Sequence, residues 1–95
     1  MLQNANPNVT IIIEQLAPGK SDIMTTELIS YFNQQINGVQ TIASDNSTSS
    51  SQIIIVDMFT GFTDNLLADD VHYNEAGADF IADRYYTVLE NILEL

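Results

Sequence analysis

Two short runs of branched apolar residues constrain the fold of this chain more than any other feature. Residues 11–13 are Ile-Ile-Ile and residues 53–56 are Ile-Ile-Ile-Val, each bounded by polar residues. Such β-branched runs predict strands, at residues 9–15 and 52–58. Because no polar residue interrupts either run, both faces of each strand are expected to be covered, as in a parallel sheet between two helical layers.

An amphipathic helix is predicted after the first strand. It is expected to begin at about Asp22, with Ser21 or Asp22 as its N-cap, and to end at Gly38. The residues expected to face inward recur at spacings of three and four. They are Leu28, Ile29, Phe32 and Ile36, with Met24 and Tyr31 beside them. The polar stretch 45–51 is predicted to be a loop before the second strand.

A second helix is predicted from Glu75 to about Leu93, with Asn74 as its N-cap. Residues 59–73, which connect the second strand to this helix, are predicted to be a long loop with an acidic cluster. The inward face of the helix is expected to consist mainly of four residues, widened by three more. The four are Ile81, Tyr85, Val88 and Ile92, and the three are Ala78, Ala82 and Leu89.

The order strand, helix, strand, helix is typical of the α/β class, in which parallel strands are joined by right-handed crossovers. Two strands and two helices are too few to cover both faces of both strands and to pair every strand edge. We therefore predict a partial doubly wound parallel sheet. Since an exposed apolar edge tends to pair with another chain, either a different chain or a second copy is expected to supply the missing neighbours.

The charge balance excludes two classes of partner. Thirteen carboxylates oppose Lys20 and Arg84, which gives a net charge of −11 over 95 residues. Because nucleic acids and anionic membranes are bound through many Lys and Arg contacts, neither is expected as a partner. No apolar run approaches the ~20 residues that span a bilayer. The first residues are polar, so that if the parent protein is secreted, its signal is expected upstream. The absence of cysteine excludes disulfides and thiolate metal sites.

The single histidine, His72, lies three residues after Asp69, just before the second helix. A histidine that acts as a general base needs one ring nitrogen to donate to an acceptor while the other faces a nucleophile. A carboxylate three residues earlier in a tight turn can reach the nearer nitrogen. Asp69 and His72 are therefore candidate catalytic residues, the first as an orienting acid and the second as a base.

Other interpretations of this segment stay open. His72 could be a surface histidine, and Asp69 could be a solvated carboxylate that interacts with the dipole of the following helix. Asp70 is expected to face solvent. A Ca²⁺ site is a further alternative, although the spacing is not that of an EF-hand loop. Its candidate ligands are Asp57, Asp64, Asn65, Asp69 and Asp70. The serines of residues 47–51 are expected to be loop residues, because an activated serine needs a rigid turn and a base within reach.

The segment Asp69-Asp-Val-His72-Tyr-Asn74-Glu-Ala-Gly77 resembles the last block of the SGNH (GDSL-type) hydrolases, in which Asp-x-x-His supplies two members of a catalytic triad. Residues 55–62 are similar to the last strand and loop of the carbohydrate acetylesterase-like members of that family. The strand ending Glu14-Gln-Leu-Ala-Pro18 and the helix containing Tyr31-Phe-Asn33 are similar to the preceding unit, and the similarity covers the chain from about Asn8 onward. Asp70 and Tyr73 stand where family members usually have Gly and Pro.

By this resemblance, residues 1–95 are the C-terminal two βα units of a flavodoxin-like, three-layer α/β/α domain with five strands. Asp69 and His72 would belong to a Ser-His-Asp triad that cleaves a small acyl ester, such as an acetylated carbohydrate, without a metal or cofactor. The Gly-Asp-Ser and Gly-x-Asn-Asp blocks of the family do not occur here. The chain alone is therefore expected to be inactive and to need an N-terminal half that carries the serine.

A second hypothesis belongs to a different class of protein. The chain could be a non-enzymatic α/β module that self-associates through its unpaired strand edge, as a homo-oligomer or a swapped dimer. Both strands are apolar on their two faces, and the chain is too short to cover all of these faces, which motivates this hypothesis. The two hypotheses are compatible if part of a hydrolase assembles with itself.

Overall fold

The computed structural model describes residues 2–93, which contain two strands and two long helices. In chain order these are β1 (Ile11–Gln15), α1 (Thr26–Asn46), β2 (Ile53–Asp57) and α2 (Glu75–Leu93). Short 3₁₀ helices lie at Leu2–Asn4 and Asp64–Leu66. The predicted order of elements is confirmed, and each strand is two residues shorter than predicted.

The two strands pair in parallel, from Ile11 opposite Ile53 to Gln15 opposite Asp57. A parallel pair cannot be joined by a tight turn, so α1 serves as the crossover between the strands. This arrangement confirms the predicted α/β class with a small parallel sheet.

The two helices cover different faces of the sheet. α1 packs on both strands, α2 packs on β2, and within residues 2–93 the helices do not contact each other. Tyr85 of α2 donates a hydrogen bond to the Glu14 carboxylate at 2.7 Å. Glu14 therefore points toward α2, and the alternation of a strand directs Ile13 and Gln15 toward the opposite face. The unit is thus a partial doubly wound fold with one helix per face.

The buried core is small and centred on β2. Val56 and Met58 are fully buried, and Ile53 is 6% exposed. The isoleucines of β1 are only half-buried. Within the described residues, β1 pairs with β2 along one edge and its other edge has no strand beside it. Within these residues the outer edge of β2 also has no strand beside it, and Ile54 and Ile55 are half-buried, so the predicted shortage of covering neighbours affects both strands.

The start of α1 differs from the prediction. Its N-cap is Thr25, whose hydroxyl accepts from the Leu28 N–H at 3.2 Å, and the predicted caps Ser21 and Asp22 lie before the helix. Ser21 instead donates to the Asp64 carboxylate, through its N–H at 2.8 Å and through its hydroxyl. A contact between two loops thus replaces the expected local one.

The end of α1 also differs, because Gly38 does not terminate the helix, which continues to Asn46. A glycine inside a helix costs about 1 kcal/mol relative to alanine. Beyond it, Val39 is buried and Ala43 is half-buried, and this packing offsets the cost. Asp45 therefore belongs to the helix, and the polar loop is shorter than predicted.

The inward face of α1 is only partly as predicted. Phe32 and Ile36 are half-buried, whereas Leu28 and Ile29 are 38% and 43% exposed. The physical reason is a mismatch in length. Five strand residues extend roughly 16 Å, whereas 21 helical residues extend roughly 31 Å, so the first turns of α1 project beyond the sheet.

α2 has the predicted bounds, and the predicted main stripe is half-buried. That stripe consists of Ile81, Tyr85, Val88 and Ile92. The predicted widening by Ala78, Ala82 and Leu89 is wrong, since these residues are exposed. A sheet of two strands is too narrow to bury a wide helical face. No helix within residues 2–93 combines the length and the apolar character needed to cross a membrane.

Candidate functional site

The Asp69 carboxylate binds both the backbone that follows it and the His72 ring. Its Oδ1 accepts from the backbone N–H groups of Val71 at 2.9 Å and His72 at 2.7 Å. Its Oδ2 lies 2.8 Å from Nδ1 of the His72 ring. An aspartate that binds the backbone two and three residues ahead is a common way to form a tight turn. The structure thus brings together the two predicted site residues.

The charge of Asp69 decides which nitrogen of a neutral His72 ring carries the proton. The N–H groups of Val71 and His72, and then the His72 ring, lower the pKa of Asp69 from 3.8 to about 2. At neutral pH the carboxylate is therefore ionised and can only accept hydrogen bonds. Nδ1 of His72 must carry the proton that joins the pair, which leaves Nε2 of a neutral ring as the basic nitrogen.

The pair is open to solvent in the described part of the chain. The side chains of His72 and Asp69 are 77% and 58% exposed. Within residues 2–93, no hydroxyl group forms a hydrogen bond with the His72 ring. The arrangement can take up a proton from a neighbouring group, but the group that would give it is not among the described residues.

The base of the turn is tied to the start of α2. The Ala68 N–H donates to the His72 carbonyl at 2.7 Å, and Leu67 forms an isolated antiparallel bridge with Tyr73. The Asn74 N–H donates to the Leu66 carbonyl at 3.0 Å. These bonds pair residues 67–68 with residues 72–73 on the two sides of the turn, and they join the turn to the start of α2.

The turn is also tied to the loop after β1. The Lys20 N–H donates to the Asp70 carbonyl at 2.9 Å, and Ser21 binds Asp64 through both its N–H and its hydroxyl. The hydroxyl and then the N–H of Ser21 lower the pKa of Asp64. The side chain of Asp70 is exposed, as predicted. The loops that follow the two strands are thus joined near the candidate pair.

Arg84 holds the loop that leaves β2. Its guanidinium donates to the Asp57 carbonyl at 3.2 Å and to the Thr60 carbonyl at 2.8 Å, and it lies 4.5 Å from the centre of the Phe80 ring. Gly61, at a φ of 81°, allows the adjoining turn in which the Phe62 N–H donates to the Phe59 carbonyl at 3.3 Å. Sequence reasoning missed this role. The available signal was a cation placed within the inward stripe of α2, where it must find carbonyl or carboxylate partners.

The candidate ligands of the alternative calcium site form separate contacts. Asp57 accepts from the N–H groups of Phe59 and Thr60, and although burial acts to raise the pKa of Asp57, hydrogen bonds from Thr60 and Phe59 lower it overall. Asp64 binds Ser21, and Asp69 binds His72. Among the residues that the structure describes, no three acidic or histidine side chains come together as a metal site requires.

The serines of the polar loop lie at the opposite end of the sheet. The Ser47 hydroxyl accepts from the Ile53 N–H at 3.0 Å, and the Ser51 hydroxyl donates to the Val9 carbonyl. Both contacts are at the amino ends of the strands, whereas His72 follows the carboxyl end of β2. These serines therefore join the strands and cannot serve as a nucleophile for His72.

No protein-family model matches the chain, and no curated protein matches it. Two solved structures are similar to it. One is a carbohydrate esterase family 3 protein from Talaromyces cellulolyticus, with a TM-score of 0.77, 28% sequence identity, and coverage of 98% of this chain and 44% of that chain. The other is a mutant acetyl esterase with an acetate ion, with a TM-score of 0.76 and the same identity and coverage.

These comparisons establish a coarse relationship. At 28% identity over 98% of its length, the chain is related to esterases of the SGNH type and has the fold of part of such an enzyme. It spans less than half of the length of the two solved structures, 44% in each case.

Proposed function

We propose that this chain is the C-terminal part of a serine ester hydrolase and supplies Asp69 as the orienting acid and His72 as the general base. The observation that supports this assignment is the 2.8 Å contact between Asp69 Oδ2 and His72 Nδ1. An ionised partner on Nδ1 leaves Nε2 free to accept a proton. The likeness of the chain to two esterases makes ester cleavage the reaction that this pair would serve.

In the complete enzyme, Nε2 of His72 would take the proton of a serine hydroxyl while the serine oxygen attacks the ester carbonyl. The protonated ring then gives that proton to the leaving alcohol, and an acyl-serine remains. Water then attacks the acyl-serine while His72 takes and returns a proton in the same way, and the carboxylic acid is released. Throughout both steps, Asp69 keeps the ring in one orientation and stabilises its positive charge, without itself being protonated.

The nucleophile and the oxyanion hole would come from a complementary N-terminal part. The chain covers 44% of each similar structure. One edge of β1 has no strand beside it within residues 2–93, and an open apolar hollow lies next to the end of that strand. The hollow is lined by Leu16, Tyr31, Phe32 and Gln35. The missing part would add a strand at this edge and cover the hollow, and the chain alone would be inactive.

The likeness to two esterases supports a proposal for the substrate class. One similar structure is described as a carbohydrate esterase and the other as an acetyl esterase. We infer that the complete enzyme cleaves a small acyl ester, with an acetylated carbohydrate as the first candidate.

The test is a chimera in which this chain replaces the matching region of the T. cellulolyticus esterase. The chimera should hydrolyse a chromogenic acetyl ester, whereas the chain alone should not. His72→Ala should lower the rate by about 10⁴-fold or more. Asp69→Asn should also lower it strongly, and Asp70→Asn is the matched control because that neighbouring carboxylate binds neither the ring nor the turn. Activity that survives His72→Ala, or a folded chimera without activity, would contradict the proposal.

The unpaired edge of β1 supports a second candidate function, self-association without catalysis. Its isoleucines are half-buried, and Leu16 and Tyr31 beside it are 48% and 57% exposed. A second copy could add its own β1 at this edge. Light scattering of the chain alone should then give the mass of a dimer, and the chimera, in which the edge is covered, should be monomeric. A monomeric isolated chain would exclude this candidate.

A further inference from the structure

The Asn74 side chain forms three hydrogen bonds with two different parts of the molecule. Its Oδ1 accepts from the Gly77 N–H at 2.9 Å and thereby caps α2. Its Nδ2 donates to the carbonyl of Asn65 at 2.7 Å and to the carbonyl of Leu67 at 3.3 Å. One amide group thus binds the start of the helix on one side and the preceding loop on the other.

Capping alone does not require the donor half of this amide. An N-cap needs one oxygen, and Ser, Thr, Asp and Asn all provide it. Thr25 shows the minimal case, since within residues 2–93 its hydroxyl accepts only from the Leu28 N–H, at 3.2 Å. The two bonds from Nδ2 therefore have a function separate from helix initiation.

The carbonyls that Nδ2 binds lie at the base of the candidate turn. From Leu67 the chain runs out to Asp69 and returns at His72, with the Ala68 N–H bonded to the His72 carbonyl at 2.7 Å. Because the side chains of the pair are 58% and 77% exposed, little packing holds them in place. Their position relative to the sheet depends on how firmly the base of the turn is fixed.

We propose that Asn74 is a positioning residue, which clamps the base of the turn to α2 through Nδ2 and so fixes where the Asp69–His72 pair stands. The proposal rests on the proposed function for its catalytic consequence, but the clamp itself can be measured without activity. A displacement of a catalytic group by about 1 Å can lower a rate by about 100-fold.

Hydrogen exchange of single amides in the 95-residue chain separates the clamp from the cap. Asn74→Ser and Asn74→Asp both keep the capping oxygen and lose the bonds from Nδ2. In each, the Ala68 amide should exchange about 30-fold faster, as expected for the loss of two hydrogen bonds, while the Gly77 amide is unchanged. Thr25→Ala is the matched control, and it should affect the Leu28 amide alone. Unchanged exchange at Ala68 in a variant whose β2 amides stay protected would overturn the proposal.

The same variants in the esterase chimera test the catalytic consequence. Asn74→Ser should lower kcat by about 10- to 100-fold with little change in KM, because the pair is displaced while the substrate contacts remain. Thr25→Ala should leave both constants unchanged. A normal kcat in Asn74→Ser despite faster exchange at Ala68 would refute the positioning role. If the unsubstituted chimera is inactive, the proposed function fails, whereas the exchange data still decide whether Asn74 clamps the turn.

Discussion

Gly77 is the position at which a single added methyl group should disturb this structure most. Gly77 is buried in the first turn of α2, and a Cβ atom there would lie 2.1 Å from the Leu66 carbonyl oxygen and 3.1 Å from Cβ of Tyr73. Carbon–oxygen contacts settle at about 3.3 Å or more. Since the obstructing oxygen is a backbone atom, α2 and the loop before the Asp69–His72 turn would have to separate by roughly 1 Å.

The energetic consequence can be worked out from the bonds that join these two segments. The separation weakens the bond from the Asn74 N–H to the Leu66 carbonyl, 3.0 Å long, and the 2.9 Å cap of the Gly77 N–H. Each bond contributes about 1 kcal/mol, and overpacking adds about 1–3 kcal/mol of strain. The better helix propensity of alanine offsets about 1 kcal/mol. Gly77→Ala should therefore lower the free energy of unfolding by about 2–4 kcal/mol.

Gly38→Ala is the matched control for this substitution. Gly38 also lies inside a helix, but nothing approaches within 4 Å of the position of its added Cβ. Only the propensity gain then remains, and the free energy of unfolding should rise by about 0.5–1 kcal/mol. Urea denaturation followed by circular dichroism, at one protein concentration, should give midpoints that differ by on the order of 1–3 M. Equal midpoints for the two variants would refute the steric reasoning.

Two further predictions concern Asp69 and Arg84. The hydrogen bonds that hold the pKa of Asp69 at about 2 favour its ionised form, so this contribution to folding is present above about pH 4 and is lost as the pH falls toward 2. A ¹³C NMR titration of the Asp69 carboxyl should have its midpoint near 2, and a midpoint near 4 would be inconsistent with the turn. Arg84→Lys removes the planar fork that binds the Asp57 and Thr60 carbonyls, and should lower the free energy of unfolding by about 1–2 kcal/mol in urea denaturation. An unchanged midpoint would show that the lysine replaces the fork.

The features that the sequence predicts well arise between residues close together in the chain. The isoleucine runs mark both strands, Asn74 marks the start of α2, and the spacing of three allows Asp69 to reach the His72 ring. Each of these depends on backbone geometry within a few residues. The fold class follows from the order of the elements, because the crossover rules leave few alternatives.

The features that the sequence does not predict depend on contacts between distant segments. Ser21 looks like a helix cap, but it binds Asp64, 43 residues away. Leu28 carries the period of an inward face, yet it is 38% exposed because helical period does not specify what covers a face. The donor bonds of Asn74 were likewise missed, since the cap pattern identifies its oxygen and gives no sign of where the nitrogen binds.

Asp69 and His72 are only three residues apart, so an enzyme made of two polypeptides would carry both residues on the same one. Their contact closes within one turn, so its formation does not wait for any remote part of the chain. If a separate polypeptide carries the nucleophile, docking alone would complete the reactive geometry, and only the contact between the serine hydroxyl and Nε2 of His72 would have to form across the junction. The half-life of such an enzyme would then be governed by dissociation of the two pieces, and dilution would switch it off without denaturing either one.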